Sequence, residues 1–276
     1  NFKVVDLTQK HGMDPIAREI FKQCARRKLF HPYFLLIILQ KLIDNSSLIA
    51  DHEPKAIAVF AKERDFSAPI ISLYCEMREV EYASFMHGDY TYSIDKAYQR
   101  FSRYYVWDEH YIKMFTELKW DMDKYEVYIP EKLKGIVQPH EDGQYEYYIT
   151  YYFGAESEKR IRGVHQAFKI LREAGYNCKI RPHPRFSNIE YLKTVFDGFY
   201  MEDPKQVTLE ESLDVTKYAA ALNSTVLSQA YYSGKEYVID DYSDPDRFAS
   251  LEDRQYIMLY KPHKLLSQLV QEAENK

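Results

Sequence analysis

Between Tyr145 and Arg181 the chain spells a strand, a helix and a second strand with little to spare between them. Tyr145–Phe153 is almost wholly aromatic and β-branched, a composition that suits a pleated, half-buried surface. Gly154 stops it. Ser157–Ala174 then sets Ile161, Val164, Phe168 and Leu171 on one helical face, and Gly175 sits where a helix C-cap glycine belongs. Cys178–Arg181 resumes as a short strand. Strands joined through a helix by short connections pair in parallel, so this unit predicts an α/β fold.

The alternation recurs on both sides. Phe2–Leu7 has strand composition, and Asp14-Pro15 opens a helix with Ile16, Ile20, Phe21 and Cys24 at helical spacing. His31-Pro32 breaks it and Tyr33–Ile43 resumes it. Strands are expected at Lys55–Phe60, Glu81–Met86 and Arg103–Trp107, and helices at Ala68–Val80, Ser93–Phe101 and Asp108–Leu118. Tyr125–Lys134 reads as extended. Val137–Gly143, polar with a proline and a glycine, is the expected boundary between a domain of residues 1–136 and one of residues 137–276.

Beyond Arg181, helices are expected at Asn188–Phe196, at Thr208–Val215 (Thr208 and Glu211 stand at capping-box spacing) and at Val226–Tyr232. Tyr218–Leu222 and Glu236–Ile239 read as strands. His263–Glu274 is a closing amphipathic helix that could pack back on the first domain.

At 276 residues with 46% hydrophobic and 29% charged, the chain has the composition of a globular protein of one large or two modest domains. A net charge of −5 argues against bulk binding to nucleic acid. Cys24, Cys75 and Cys178 form neither a CxxC pair nor a zinc spacing, which suits free thiols in a reducing compartment. The longest purely apolar run, Phe34–Leu39, is far short of a bilayer span. The expected location is therefore cytoplasmic, with at most peripheral contact at the inner membrane face. Arg26-Arg27-Lys28 would supply that contact if it were not simply a solvated helix face.

Polar clusters stand at the C-terminal ends of expected strands, where parallel sheets bind ligands. In Arg181-Pro182-His183-Pro184-Arg185 the prolines keep His183 in an extended backbone, and the arginines flank it. Asn223-Ser224-Thr225 precedes a helix whose first N–H groups and positive dipole end favour phosphate, although Ser and Thr are also ordinary caps. In His87-Gly88-Asp89 the glycine allows a sharp turn, and His87 or Asp89 could serve as general base. Asp240-Asp241 with Asp244-Pro245-Asp246 could hold a divalent metal but reads better as a solvated loop, and Glu141-Asp142-Gly143 as a turn. The histidines make no metal set, and neither a GxGxxG nor a Walker loop is present.

In that order, a His-Gly turn, an Arg-Pro-His-Pro loop and a Ser-Thr pair, the chain resembles bacterial GT-B glycosyltransferases of the sialyltransferase and polysialyltransferase type. It is similar also to the CDP-glycerol glycerophosphotransferases of teichoic-acid and capsule synthesis. The resemblance implies two Rossmann-like α/β domains with a ligand crevice between them, the first on the acceptor side and the second binding a nucleotide donor. It implies an inverting, metal-independent transferase without a cofactor, taking a CMP-, CDP- or UDP-linked donor to a hydroxyl of a surface glycan or lipid-linked glycan. His183 would then contact the donor phosphate as the nucleotide leaves, with Arg181, Pro184, Arg185, Ser224, Thr225 and Gly154 around it. His87 matches the histidine proposed as base. Two departures bear on the donor: His-Gly-Asp replaces the acidic-Gly motif of the sialyltransferases, and Leu-Asn-Ser-Thr replaces the Asp-Tyr-Ser-Ser of the glycerophosphotransferases. A glycerol- or ribitol-phosphate transferase, a sugar-nucleotide epimerase on the same scaffold and a catalytically silent binding module are the other readings.

Overall fold

The structure, a computed structural model, describes residues 11–28, 30–60, 66–97, 100–118, 124–134 and 145–276. The strand expected at Phe2–Leu7 lies outside them, as do the boundary segment Val137–Gly143 and the turn Glu141-Asp142-Gly143. The chain divides into two units, residues 1–87 with 92–128 and residues 88–91 with 129–276. The second unit thus starts earlier than the expected boundary after residue 136, and it takes in Gly88–Thr91. The reason is local: a 3-10 turn at Glu131–Leu133 buries Leu133 against elements of the second unit.

In the first unit, α1 (Pro15–Arg27) and α2 (Pro32–His52) each open on a proline in the first turn. Asp14 caps α1 by accepting from the Ala17 N–H at 2.8 Å, and its other oxygen accepts from the Tyr74 hydroxyl at 2.7 Å. The latter ties α1 to α3 (Ala68–Met77). Strands β1 (Ala56–Phe60), β2 (Glu81–Phe85), β3 (Arg103–Val106) and β4 (Tyr125–Val127) form a parallel sheet in that order. Helix α4 (Glu109–Glu117) buries Phe115 against Tyr104 of β3. Alternation sends Phe60, Phe85 and Tyr105 to the other face as register partners. Their rings stack there, Phe85 on Phe60 at 5.4 Å and on Tyr105 at 4.4 Å, with Tyr128 edge-on to Phe85. Among the described residues of the helix expected over Ser93–Phe101, Ile94–Lys96 form a 3-10 turn.

The second unit is a six-stranded parallel sheet in the order β10-β9-β8-β5-β6-β7. Its strands are β5 (Tyr147–Tyr152), β6 (Cys178–Arg181), β7 (Tyr200–Met201), β8 (Thr216–Ala221), β9 (Tyr237–Ile239) and β10 (Lys264–Leu265). Numbered within the unit, that is the 3-2-1-4-5-6 order of doubly wound dinucleotide-binding folds, which reverses direction between β5 and β8. Helix α5 (Glu158–Glu173) lays Ile161, Val164, Phe168 and Leu171 on the sheet, as its spacing requires. Helix α6 (Ile189–Val195) follows β6, and α7 (Leu209–Asp214) carries the capping box read at Thr208 and Glu211. Helix α8 (Thr225–Tyr232) follows β8. The closing helix α10 (Leu266–Glu274) buries Leu266, Leu269 and Val270 in the core of this unit with α5.

The segment read as a solvated acidic loop is neither solvated nor a loop throughout. Asp240 is fully buried and accepts from the Tyr151 hydroxyl at 2.7 Å and the Ser243 N–H at 2.9 Å. Asp244 caps helix α9 (Pro245–Asp253) by accepting from the Arg247 N–H. A close approach follows from this packing. A Cβ on Gly163 of α5 would lie 2.9 Å from both Cα and Cβ of Ser243. Alanine for glycine in a helix interior ordinarily stabilises by about 1 kcal/mol. Here Gly163→Ala is expected to destabilise by about 1–3 kcal/mol, as overpacking does. A lower urea midpoint at unchanged slope checks it.

Candidate functional site

A cavity of about 290 Å³ opens in the second unit at the C-terminal ends of β5, β6 and β8, the place where the strand order reverses. Tyr152 and Phe153 line it from β5, Arg181–Pro184 from β6, and Ser224–Val226 with Gln229 from the start of α8; Leu209 of α7 closes one wall.

The His183 loop is held from two directions. The Ser187 hydroxyl accepts from the His183 N–H at 2.8 Å and donates to the Gly154 carbonyl at 2.8 Å, pinning the loop to the end of β5. On the side chain, the Arg185 N–H donates to Nδ1 at 3.1 Å. An accepting Nδ1 carries no proton, so the neutral ring carries it on Nε2. Burial, with the Arg185 charge beside it, holds the ring below the usual histidine range. Phe186 stacks on it at 4.5 Å. His183 is therefore a neutral Nε2–H donor at neutral pH, suited to an anionic oxygen and unsuited to removing a proton through Nδ1. Proton-detected nitrogen NMR at neutral pH is expected to show the Nε2–H tautomer for His183; the Nδ1–H pattern would refute the assignment.

Ser224 caps α8, its Oγ accepting from the Val226 N–H at 3.3 Å. Thr225 begins the helix, so Ser224, Thr225 and Val226 put the positive end of α8 on the cavity wall. Gly88 lies against this turn: a Cβ there would sit 3.8 Å from Thr225 Oγ1.

Arg181 lines the cavity but is buried and already engaged. Alternation along Cys178-Lys179-Ile180-Arg181 turns Cys178 and Ile180 into the core and sends Lys179 and Arg181 to the opposite face. There Glu202 pairs with both, and Arg181 also donates to the Val207 carbonyl at 2.9 Å. Burial alone would raise the Glu202 carboxyl, but its bonds from Lys179, Ser212 and Arg181 prevail and hold it below the usual range. Lys179, with Glu202 as its acceptor, is pushed down by burial. Glu202 thus engages both cations, with Glu146 also acting on Lys179 and Arg181 acting on Glu211.

The other sequence candidates fall elsewhere. Arg185 is exposed at the loop tip, and Pro184 lines the cavity. Gly154 braces the loop through its carbonyl, and its N–H donates to Glu156. Asp89 is engaged: the Ser228 hydroxyl of α8 lies 2.7 Å from both carboxylate oxygens, which ties the 88–91 segment to that helix. His87, the residue before Gly88, belongs to the first unit and is exposed. Sequence reasoning missed Glu202, Ser187 and Gln229. Gln229 stands one helical turn after Thr225, and that i,i+4 relation was its available signal. Among the described residues, no group of three or more His, Cys, Asp or Glu side chains is placed to hold a metal ion.

Neither a protein-family model nor a curated protein matches the sequence. Solved structures match the fold. The UDP-GlcNAc 2-epimerase of Methanocaldococcus jannaschii, in complex with UDP-GlcNAc and UDP, aligns over 83% of this chain and 70% of its own with a TM-score of 0.53 and 11% identity. The Neisseria meningitidis UDP-GlcNAc 2-epimerase, bound to UDP-GlcNAc, aligns over 97% and 75% at 0.51 and 10% identity. The S. aureus MnaA–UDP structure aligns over 99% and 73% at 0.50 and 9%. At these identities the likeness is one of fold: the chain has a GT-B-like α/β architecture built on parallel sheets.

Proposed function

We propose that this chain is a glycosyltransferase that binds the phosphate of a nucleotide-activated sugar in the second-unit cavity and passes the sugar to a hydroxyl of a surface glycan. The observation that carries the reading is the convergence of a neutral His183 Nε2–H donor and the Ser224-Thr225 helix start on one cavity at the sheet's reversal point. Both are suited to donate to an anionic oxygen, and the Arg181 guanidinium lines the same cavity.

In the reaction, the acceptor oxygen bonds to the anomeric carbon as the bond from that carbon to the donor phosphate oxygen breaks, inverting the centre. The electron pair leaves on the phosphate, where His183 Nε2–H and the α8 N-terminus stabilise the developing charge. The acceptor proton goes to a base. His87 and Asp89 of the His-Gly-Asp turn are the two candidates for that base, and Asp89 already accepts from the Ser228 hydroxyl. With a glycerol- or ribitol-phosphate donor the attack falls on phosphorus instead. The ring row of Phe60, Phe85, Tyr105 and Tyr128 offers the apolar faces on which acceptor sugar rings stack. Phe85→Ala is expected to raise the acceptor KM about tenfold, in line with the loss of one buried ring contact, while the donor KM stays unchanged.

A thermal-shift series with CMP, CDP and UDP and their sugar conjugates tests the donor site. At 100 times Kd the right nucleotide adds about 2.7 kcal/mol of stability. Stabilisation that survives removal of both His183 and Ser224 side chains would place the nucleotide elsewhere. Product analysis then separates the chemistries: transfer needs an acceptor and yields a new glycosidic bond, whereas an isomerised sugar released without acceptor identifies an epimerase.

A further inference from the structure

The corner between α1 and α2 combines two features that a water-exposed surface has no reason to combine. Phe30, Tyr33 and Leu36 are 91%, 75% and 64% exposed, the three most exposed large hydrophobics described in the first unit except for Ile94. Phe30 sits in the turn, and Tyr33 and Leu36 stand at i,i+3 on the first turns of α2, so they share a side. Directly before them, residues 22–28 carry Lys22, Arg26, Arg27 and Lys28 with no acidic residue among them, and all four are exposed. Lys22 and Arg26 stand one turn apart on α1.

We propose that this corner is a docking surface for an anionic lipid bilayer. The three apolar side chains enter the headgroup–acyl boundary and the four cations meet lipid phosphates, the arrangement by which interfacial helices bind. Charge complementarity selects the occupant, since an uncharged apolar partner would leave four cations at the rim without counter-charge. Helix α2 is 21 residues long and its most apolar 18-residue window has mean hydropathy 1.3, enough by length and composition to cross a membrane, which the six-residue apolar run Phe34–Leu39 alone does not suggest. Its faces argue for a shallow contact. Past Leu36 the same side turns polar with Gln40, which donates to Asp44 at 2.7 Å, while Ile38, Leu42 and Ile49 are buried within the unit.

Cosedimentation of the full chain with vesicles tests the proposal. Vesicles of phosphatidylcholine mixed with phosphatidylglycerol should bind it, and vesicles of phosphatidylcholine alone should bind it at least about tenfold more weakly, given roughly fivefold per cation near an anionic surface. Arg26→Gln with Arg27→Gln should weaken binding to the mixed vesicles about 10- to 30-fold on the same basis. Phe30→Ser with Leu36→Ser should also weaken it while leaving the circular dichroism spectrum unchanged, because both side chains are largely exposed. Equal binding to both vesicle types, or none to either, overturns the proposal. Resistance of the bound protein to alkaline carbonate extraction overturns it too, because that would identify α2 as a spanning helix.

Discussion

Replacing His183 by alanine is expected to lower the rate of transfer by about 10²- to 10³-fold, the usual cost of removing a donor that stabilises developing negative charge. The unfolding midpoint should hardly move, since the ring stacks on an exposed phenylalanine and bonds a backbone N–H at the loop tip. His183→Gln tests the assigned nitrogen: its terminal amide reaches the position of Nε2 and restores a donor, whereas the shorter amide of His183→Asn mimics Nδ1. The glutamine variant should therefore retain more activity than the asparagine one. The pH dependence gives an independent check. His183 titrates below the usual histidine range. As pH falls through that value the ring gains a charge and keeps its Nε2 proton, so thermal-shift stabilisation by the nucleotide should persist into acid. Loss of donor binding in that window would mean that the neutral ring accepts a proton or a hydrogen bond, which the donor role forbids.

The largest effect on stability is expected at Glu202, a residue with no chemistry assigned to it. Glu202→Gln removes the carboxylate bonded to both Lys179 and Arg181 in this buried group and should destabilise the fold by about 3–5 kcal/mol, the cost of stranding buried cations. Replacing the whole group at once, as Lys179→Met, Arg181→Leu and Glu202→Leu, should recover most of that loss, because well-packed apolar side chains replace buried ion pairs at little net cost. The sign of the pH dependence follows from the lowered Glu202 pKa. A carboxyl bound more tightly as the anion in the folded state contributes its stability above its unfolded pKa and loses it as pH falls through the folded value. Wild-type stability should therefore drop in acid, and Glu202→Gln should flatten that limb. Urea midpoints measured across acidic pH for both proteins decide the matter. The shifts of the two partners differ because Glu202 has three bonded donors, whereas Lys179 loses its hydration to one acceptor.

Most of the second unit is legible in the sequence, because its signals act over a few residues. Propensity marks β5, a 3.6-residue period marks α5, capping marks α7, and a buried run followed by Ser-Thr marks the join of β8 and α8. The first unit is less legible. Ser93–Phe101 carries helical spacing, yet its described residues make a 3-10 turn, Ile94–Lys96. In the second unit the exceptions are the two-residue edge strands β7 and β10, too short to leave a pattern, and Asp244-Pro245, which has the composition of a loop but starts a helix, as proline in a first turn allows.

Three features follow from the residues alone: the chain is α/β, a histidine is held in an extended loop after a strand, and a Ser-Thr pair opens a later helix. Each rests on backbone stereochemistry or on hydrogen bonds within a single turn. What these groups are free to do is fixed only once the chain is folded. Arg181 meets Glu202 from 21 positions away, and Asp89 meets Ser228 from 139 positions away. A side chain's charge and its availability as a base depend on such partners, and partners are chosen by packing, over distances at which local propensity carries no information.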